Sequence, residues 1–400
     1  MEECGKCFKD FSFEGLMQCC VVIHYGEIGI KGKNRSSFEK QLCNNILLKG
    51  KELFEDIKRE SGQLILLLKK DSSFEKIKKV LERIPGIVYF SFAERVARSE
   101  EEIENVCLKI VEKKEFSSFK IHTIRHEKNN SFRSQELNKK LGALVLEKYP
   151  GKKVLMKYPD LVLKIEISHR FAYFSSEDHT GVSGLPVEEK QRVVALLSGG
   201  FDSPVASYLM MKRGCSVIFV HFHNEQLQSG AVRDKIEQLV QELSSFQNKS
   251  ILYMLPFERL QESLLIHVPA EKRMLVYRRF MLRIASKIAE KEKASFLVTG
   301  DSLSQVASQT LENLSATYPV SSYPVLSPLI GMDKEEIITL AKKIGTYKIS
   351  ELPYGDCCSF LLAKHPSLRV KKEELENIEK NIDIEELVKD VLSKAILLCS

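Results

Sequence analysis

The stretch LLSGGFDSPVASYLMMKRG, residues 196–214, joins an apolar run to a loop of small residues and then to a helical pattern. The loop begins with Ser-Gly-Gly at 198–200, and the helix is predicted to begin at Pro204 with Ser203 as its N-cap. The unpaired N–H groups at the start of such a helix point at the loop and favour anions. The sequence therefore predicts a phosphate-binding loop here.

Asp202 is the unusual residue of this loop. A Walker A loop would carry a lysine, and this loop has none. A carboxylate repels phosphate unless a cation lies between them, so Asp202 predicts Mg²⁺ bridging the carboxylate to phosphate oxygens. Taken alone, a Ser-Gly-Gly-x-Asp-Ser segment is also compatible with an ordinary turn between a strand and a helix.

The pattern around the loop indicates an α/β domain. Short apolar runs rich in β-branched residues occur at 193–197, 216–222, 251–257 and 296–300, and longer helical segments separate them. Buried parallel strands alternating with helices are typical of a doubly wound sheet, which binds ligands at the carboxyl ends of its strands. Further along, a helix is predicted with a capping box at Asp333 and Glu336 and an end at Gly345.

The sequence of the N-terminal half predicts two α+β domains that are smaller than the α/β domain. Strands alternate with helices up to about residue 97, including one helix over 34–54, and a second α+β pattern follows. A polar, turn-rich linker precedes the α/β domain. The predicted divisions are an N-terminal extension 1–18, α+β domains 19–97 and 98–184, the α/β domain 185–370 and a helical tail 371–400.

Composition and charge limit the classes of protein to which this chain could belong. The chain has 400 residues, a net charge of +6 and 10 cysteines without a disulfide framework, which fits a reducing cytoplasm. No apolar run is long enough to span a membrane, and the N-terminus lacks a secretory signal. Residues 119–153 hold nine Lys or Arg and three Glu, which predicts a face for a polyanion; a solvated helix face is the alternative.

Several longer blocks resemble one family. The loop that begins at Ser198, called the opening loop, resembles the PP-loop of ATP pyrophosphatases. A resemblance to the tRNA 4-thiouridine synthetases, or tRNA sulfurtransferases, is carried by the sequences at 276–314 (VYRRFMLRIASK…), 323–350 (YPVLSPLIGMDK…) and 25–42 (YGEIGIKGKNRSSFEKQL). The segment ELPYGDCCSF at 351–360 fits the same family. The resemblance covers about residues 20 to 370.

The resemblance implies a fold and an activity. The fold is a ferredoxin-like domain, a THUMP domain that binds tRNA, and a PP-loop domain. The implied reaction uses ATP and Mg²⁺ to adenylate uridine at position 8 of tRNA, and sulfur then replaces O4 to give 4-thiouridine. The resemblance also implies a cysteine desulfurase as persulfide donor, compatibility with a homodimer, and a role in the thiazole of thiamine.

The resemblance also assigns residues. Those implied to contact ATP are Leu196, Leu197, Ser198, Gly199, Gly200, Ser203, His221, Phe222, Arg278, Gly300 and Gln309. Those implied to be catalytic are Asp202, Cys357 and Cys358, with Cys357 first in line for the sulfur. Because Arg278 and Arg279 differ by about 100° around a helix, only one of them can face the site easily. The basic residues predicted to bind RNA are Lys120, Arg125, Lys128, Arg133, Lys139 and Lys140.

The sequence departs from the family at several points. Residues 371–400 are too few for the rhodanese domain that some members carry, so this chain resembles the form without it. The partner cysteine of some members would lie near Val220, whereas the nearest thiol here is Cys215. His221 and His223 lack a third metal ligand, and no protein metal site is predicted.

Two other functions stay open from the sequence. One is a non-catalytic RNA-binding module that retains the nucleotide fold as a scaffold, which the intact loop argues against. The other is a different PP-loop enzyme, such as an amidating synthetase or a lysidine synthase. The THUMP-like half and the adjacent cysteines argue against that one.

Overall fold

The computed structural model describes residues 18–60, 62–70, 72–126, 133–224, 230–353, 363 and 365–399. Three of the predicted site residues, Lys128, Cys357 and Cys358, lie outside these ranges. The chain divides into two compact units, Met1–Leu185 and Pro186–Ser400. Among the described residues, no helix has the length and apolar character needed to cross a membrane.

Within its described residues, the first unit is built on a sheet of nine strands. The strands are β1 Gln18–His24, β2 Phe54–Glu60, β3 Gln63–Leu68, β4 Tyr89–Ala97, β5 Ser118–Arg125, β6 Lys153–Val154, β7 Leu161–Ile167, β8 Phe171–Ser175 and β9 His179–Thr180. Their order is β2-β3-β1-β4-β8-β7-β5-β6, with β9 paired to β4. Strand β4 therefore joins the two predicted α+β patterns, since it pairs with β1 of the first and β8 of the second.

The helices of the first unit form two clusters against this sheet. They are α1 Arg35–Lys49, α2 Phe74–Leu81, α3 Glu100–Glu112 and α4 Ser134–Lys148. One apolar core contains side chains of α1 and α2 with Val21 and Leu64, and another contains side chains of α3 and α4 with Phe119 and Leu163. Burial of these apolar side chains is the main force that fixes the helices on the sheet.

The helix predicted over 34–54 is too long. Helix α1 ends at Lys49, and residues 54–60 form strand β2 at the edge of the sheet. The strand was missed because most of its side chains are charged and exposed, so it lacks the apolar run of a buried strand. Charged side chains are a common way to protect an edge strand from pairing with another chain.

The second unit confirms the predicted doubly wound α/β domain. Its strands are β10 Glu188–Leu196, β11 Cys215–His223, β12 Ile251–Pro256, β13 Phe296–Val298, β14 Val325–Leu326 and β15 Ile396–Cys399. They lie in the order β14-β13-β10-β11-β12-β15, and the first four pairings are parallel. Strand β10, which leads into the opening loop, is central, so the loop lies at the carboxyl edge of the sheet.

The helices of the second unit include the predicted capping box. They are α5 Asp202–Lys212, α6 Gly230–Ser244, α7 Glu258–His267, α8 Arg273–Glu292, α9 Leu311–Thr317, α10 Lys334–Ile344, α11 Tyr347–Glu351, α12 Lys372–Glu379 and α13 Ile384–Ser393. At α10 the Asp333 side chain accepts from the Glu336 N–H at 2.9 Å, and the Glu336 carboxylate accepts from the Asp333 N–H at 3.0 Å. Gly345 ends this helix with φ of 86°, a conformation that glycine adopts without strain.

The helical tail predicted for 371–400 is partly wrong. Helices α12 and α13 are present, but Ile396–Cys399 form β15, which pairs antiparallel with β12. The segment AILLC is short and apolar, and such a run is ambiguous between helix and strand when only its own residues are considered. The segment forms a strand because it pairs with the edge of β12.

Candidate nucleotide site

Ser198 and Ser203 hydrogen-bond to each other across the opening loop. Helix α5 begins at Asp202, with Phe201 at the N-cap position and no side-chain cap, so the prediction of Ser203 as N-cap is wrong. The Ser203 hydroxyl instead accepts from the Ser198 N–H at 2.8 Å and donates to the Ser198 carbonyl at 3.3 Å. The side chain of Ser203 therefore holds the two ends of the loop together, and it is not available to cap the helix.

A cavity of about 250 Å³ lies beside this loop. Of the described residues predicted to contact ATP, all except Gly199 and Gly200 line the cavity, and Asp202 lines it as well. These residues come from separate parts of the chain, and the parallel sheet brings them to its carboxyl edge. Most of the predicted nucleotide contacts are thus gathered at one place, and the role of each residue stays a prediction.

One wall of the cavity is apolar. Met274 and Met281 of α8 line it together with Val306, Leu196 and Phe222. The two methionines were not singled out from the sequence, because an apolar residue on a buried helix normally indicates core packing, and Val306 lies in a bend without a recognisable pattern. Such a wall suits the planar ring of a nucleobase.

The polar part of the cavity is organised by Asp301, which was not singled out from the sequence. Its carboxylate accepts from Arg278 at 2.6 Å, from the Tyr318 hydroxyl at 2.6 Å and from the Gln309 amide at 3.0 Å. Burial alone would raise the pKa of Asp301, but the Arg278 guanidinium and the hydrogen bonds outweigh it and lower the pKa. Asp301 is therefore charged, and it holds Arg278 and Gln309 in place.

Of the two adjacent arginines in α8, only Arg278 lines the cavity. Arg279 is 2% exposed and forms a pair of hydrogen bonds of 2.8 and 2.7 Å with the Glu379 carboxylate of α12. This agrees with the angular argument from the sequence, since the two side chains leave the helix in different directions. A guanidinium at the cavity wall suits a phosphate group.

A lysine reaches the loop from a distant part of the chain. Lys334 at the start of α10 donates to the Asp202 carboxylate at 2.9 Å, and the Gln305 amide donates to its other oxygen at 2.9 Å. An ammonium group thus lies beside Asp202, and the Mg²⁺ predicted from the sequence stays a prediction. Among the residues that the structure describes, no three metal-ligating side chains are grouped together.

Gly300 is required by the close approach of two chain segments. A Cβ atom at this position would lie 2.7 Å from the backbone nitrogen of Ser203 and 2.9 Å from its Cα. These are backbone atoms, which cannot move without displacing the start of α5. Any side chain at Gly300 would therefore push the end of β13 away from the loop.

Similar curated proteins share one description. A probable tRNA sulfurtransferase of Coxiella burnetii is 37% identical over 385 residues, which cover 94% of this chain and 98% of that protein. A probable tRNA sulfurtransferase of Bacillus velezensis is 38% identical over 372 residues, which cover 92% of each chain. The chain belongs to the tRNA sulfurtransferase family.

Family models and solved structures agree with this assignment. The model described as thiamine biosynthesis protein (ThiI) matches residues 188–384, the ThiI ferredoxin-like domain matches 20–91 and the THUMP domain matches 97–177. A 4-thiouridine synthetase, solved as an RNA complex with bound ATP, superposes with a TM-score of 0.86 at 33% identity and covers 96% of this chain and 99% of its own. Protein PH1313 of Pyrococcus horikoshii superposes with a TM-score of 0.64 at 26% identity, over 82% of this chain and 99% of its own.

The basic residues predicted for RNA binding in this family member do not share one face. Strand β5 directs Phe119 and Ile121 into the core beneath α4, so Lys120 lies on the opposite side of the sheet from Lys139 and Lys140 of α4. The Lys140 ammonium is also paired with two carboxylates of α3, Glu100 and Glu104, each at 2.6 Å.

The remaining predicted basic residues that the structure describes are exposed. Arg125 and Arg133 are both at the surface, and Arg133 lies 3.5 Å from Glu136. Carboxylates therefore lie beside some of the basic side chains that the structure describes within residues 119–153. The surface there is less basic than the count of Lys and Arg along the sequence predicts. The role of each residue in RNA binding stays a prediction.

Cys215 lies far from the candidate site. It is the first residue of β11, whereas His221 and Phe222, which line the cavity, are near the other end of the same strand. At about 3.3 Å per residue, seven residues of strand separate Cys215 from Phe222 by roughly 23 Å. Burial raises the pKa of the Cys215 thiol, which makes it a poor nucleophile.

Acid should destabilise the second unit through His221. The His221 Nδ1–H donates to the Leu197 carbonyl at 2.8 Å, and burial, with a smaller effect from His223, lowers its pKa to about 4. Because an unfolded histidine titrates near pH 6.5, the unfolded state binds this proton first as the pH falls. Stability is then lost from about pH 6.5 down to the native pKa, by up to about 3 kcal/mol.

His221→Gln keeps a donor for the Leu197 carbonyl but cannot take up the proton. Its free energy of unfolding, measured by urea titration, is expected to fall less between pH 6.5 and pH 4.5 than that of the unaltered protein. The exposed His267 provides a matched control, since His267→Gln should leave the pH dependence unchanged. Equal slopes for the unaltered protein and His221→Gln would contradict the prediction.

Proposed function

We propose that this chain converts uridine 8 of tRNA to 4-thiouridine, with ATP as the activating reagent. The observation that carries the proposal is the cavity at the carboxyl edge of the second sheet, where an apolar wall, the loop at 198–203 and Arg278 meet. This combination suits a nucleoside triphosphate. The relative solved with RNA and ATP, at 33% identity over nearly the whole chain, supports the same ligands.

The first step forms an adenylated uridine. The nucleobase of ATP lies against the apolar wall, and its phosphates reach the amino end of α5. The O4 atom of uridine attacks the α-phosphorus, the bond from that phosphorus to the bridging oxygen breaks, the N3 proton leaves and pyrophosphate is released. We infer that Lys334, which contacts Asp202, and Arg278, which lines the cavity, stabilise the charge that develops on the departing phosphates.

The second step brings in sulfur. A persulfide on Cys357 attacks C4 of the activated base through its outer sulfur, and AMP leaves with O4. A second thiol then attacks the cysteine sulfur, which releases 4-thiouridine and leaves a disulfide that an external thiol reductant must reduce. Cys358 is the adjacent thiol in the sequence, whereas the position and pKa of Cys215 argue against it.

Mg²⁺ remains part of the proposal, and the residues present fit it in part. Asp202 is the carboxylate of the loop, and Mg²⁺ in phosphate sites is usually held by one or two carboxylates together with the substrate phosphates. Bound there, the ion would neutralise charge on the phosphate oxygens. Lys334 occupies one oxygen of Asp202 and already supplies part of that positive charge.

The first unit is proposed to bind the tRNA. Its match to the THUMP and ferredoxin-like domain models supports this assignment, and exposed Lys139 and Arg125 are candidate contacts for phosphates. RNA helices are recognised mostly by shape and backbone, so little reading of base sequence is expected.

Cells without the gene provide the test. Mass spectrometry of their tRNA should show no 4-thiouridine, and the intact gene should restore it, whereas a gene encoding Cys357→Ala and Cys358→Ala should not. Unchanged 4-thiouridine in the deletion strain would overturn the proposal.

Further partners follow from the same chemistry. A persulfide needs a donor, so we propose a cysteine desulfurase, and a homodimer is compatible with the family. The description of the matching family model supports a second use of the sulfur, in thiamine synthesis. Growth of the deletion strain without thiamine tests that use.

A further inference from the structure

Two aromatic side chains lie beside the opening loop. The rings of Phe201, which precedes α5, and Tyr347, the first residue of α11, are 5.4 Å apart between centroids, with an angle of 30° between their planes. Both side chains are half-buried, so each keeps part of its surface open to solvent. The described residues that line the nucleotide cavity include the neighbouring Asp202 but neither of these two rings. Phe201 and Tyr347, called the aromatic pair, thus lie next to the cavity and not in its wall.

Helix α10 places a lysine over each ring. The Lys334 ammonium lies 5.4 Å from the centroid of the Phe201 ring, and the Lys342 ammonium lies 5.0 Å from that of Tyr347. The two lysines are eight residues apart in α10, which corresponds to about 12 Å along the helix axis. The stretch KKIGTYK at 342–348 holds three exposed lysines and no carboxylate. Ammonium groups and aromatic rings are thus interleaved beside the loop.

The aromatic pair is held in a fixed position at the loop. The Ser350 hydroxyl of α11 donates to the Gly200 carbonyl at 3.0 Å, which ties α11 to the residue before Phe201. The Lys334 ammonium also donates to the Asp202 carboxylate at 2.9 Å, which ties α10 to the start of α5. A surface that is already ordered loses little conformational freedom when a ligand binds to it.

The reaction proposed above requires a uridine that is neither paired nor stacked. Its O4 atom must reach the α-phosphorus, and sulfur must approach C4 from above the plane of the base. A base inside a helical stack gives neither access, so enzymes that act on such atoms take the base out of the stack. The adjacent bases then lose a stacking neighbour. Aromatic side chains beside cationic groups are the usual protein surface for unpaired bases.

We propose that the aromatic pair stacks against an unpaired base of the tRNA, next to the uridine that is modified, and that Lys342 contacts a phosphate of the same strand. The proposal rests on the function proposed above and names a surface that its substrate uses. Lys342 is exposed, and its ammonium can turn from the ring to a phosphate oxygen, since a cation over an exposed ring is held only weakly. Because Phe201 belongs to the loop, the stacked base and the phosphates of ATP contact adjacent residues.

Substitution of Tyr347 separates the ring from its hydroxyl, which donates to the Glu351 carboxylate at 3.1 Å. Tyr347→Leu removes both, and should lower kcat/KM for tRNA in 4-thiouridine formation by at least about fivefold, the lower end of the effect of losing one stacked base. Tyr347→Phe keeps the ring and should retain most of this value. The Kd of ATP without tRNA should be unchanged in both variants, since the ring does not line the cavity.

A second readout observes the stacking directly on the full-length protein. The chain contains no tryptophan, so Tyr347→Trp introduces a single indole at the aromatic pair, and its fluorescence should fall when tRNA is added. Phe296→Trp is the matched control, because Phe296 is 37% exposed at the amino end of β13, whereas the cavity lies at the carboxyl edge of the sheet. Its fluorescence should not respond. Heparin, a polyanion without bases, should quench neither variant.

The phosphate contact has its own measurement. Lys342→Met should reduce the slope of the logarithm of tRNA affinity against the logarithm of salt concentration by roughly one, because one phosphate contact is lost. Lys389→Met removes another exposed lysine, in α13, and should leave the slope unchanged. An unchanged slope for Lys342→Met would overturn the phosphate contact.

The outcomes are distinct. Quenching of Tyr347→Trp by tRNA, together with a lower kcat/KM for Tyr347→Leu, supports the stacking role. Absence of that quenching, equal quenching by heparin, or a normal kcat/KM for Tyr347→Leu overturns it. An equal loss in Tyr347→Phe overturns it too, because the contact with Glu351 would then explain the effect. If the unaltered protein forms no 4-thiouridine, the proposed function fails, and the quenching alone decides whether the aromatic pair stacks RNA.

Discussion

Asp202→Asn is expected to lower tRNA-dependent ATP–pyrophosphate exchange by at least about a hundredfold, the usual cost of removing one group that stabilises a developing charge. The carboxylate holds the Lys334 ammonium at 2.9 Å and the Gln305 amide at 2.9 Å, at the amino end of α5. An amide in its place has no charge to hold the ammonium, and the positive charge would no longer be fixed beside the departing phosphates.

The exchange assay needs controls for a general effect of charge and of folding. Asp234→Asn removes an exposed carboxylate from α6, away from the cavity, and should leave exchange unchanged. Lys334→Met should lose about as much as Asp202→Asn, and the double variant little more, because either change breaks the same pair. Exchange by Asp202→Asn within twofold of the unaltered protein would remove the loop from the mechanism.

Cys357→Ser is expected to lower 4-thiouridine formation by at least about a thousandfold, because a hydroxyl group cannot carry the sulfane sulfur and is a far weaker nucleophile than a thiolate. Exchange should persist, since the proposed adenylation step does not use the thiol. Mass spectrometry of the digested tRNA measures the product, and pyrophosphate exchange measures the first step on the same preparation.

The neighbouring and distant cysteines serve as comparisons. Cys358→Ser should slow the release of 4-thiouridine from the first turnover onward, because it removes the adjacent thiol proposed to release the product. Cys215→Ser should have no effect, since Cys215 lies at the opposite end of β11 from the cavity. Full product formation by the Cys357→Ser, Cys358→Ser double variant would exclude both thiols as sulfur carriers.

Much of the second unit could be predicted from local sequence. The apolar runs that form β10 to β13 are short, rich in β-branched residues and separated by amphipathic helices, and this pattern has few other solutions. The angular separation of Arg278 and Arg279 likewise follows from helix geometry, and the structure has only the first of them at the cavity. Local rules sufficed because these features depend on residues close together in the chain.

The features that were missed depend on residues far apart in the chain. Lys334 is 132 residues beyond Asp202, and nothing near the loop indicates that an ammonium group reaches it. Edge strands such as β2 and β15 gain their conformation from a neighbouring strand, so their own side chains carry a weak signal. The pairing of Lys140 with Glu100 and Glu104 shows the same limit, because a charge count along the sequence does not include partners on another helix.

The most direct test of the central claim uses the purified protein with unmodified tRNA, ATP, Mg²⁺, and cysteine with a cysteine desulfurase. AMP is quantified in the same reaction in which mass spectrometry measures 4-thiouridine and maps its position. The account predicts one AMP for each 4-thiouridine, with the modification at position 8, and neither product when Asp202 is replaced by Asn. A base that stays unmodified without formation of AMP, under conditions in which the protein is folded and binds the tRNA, would contradict it.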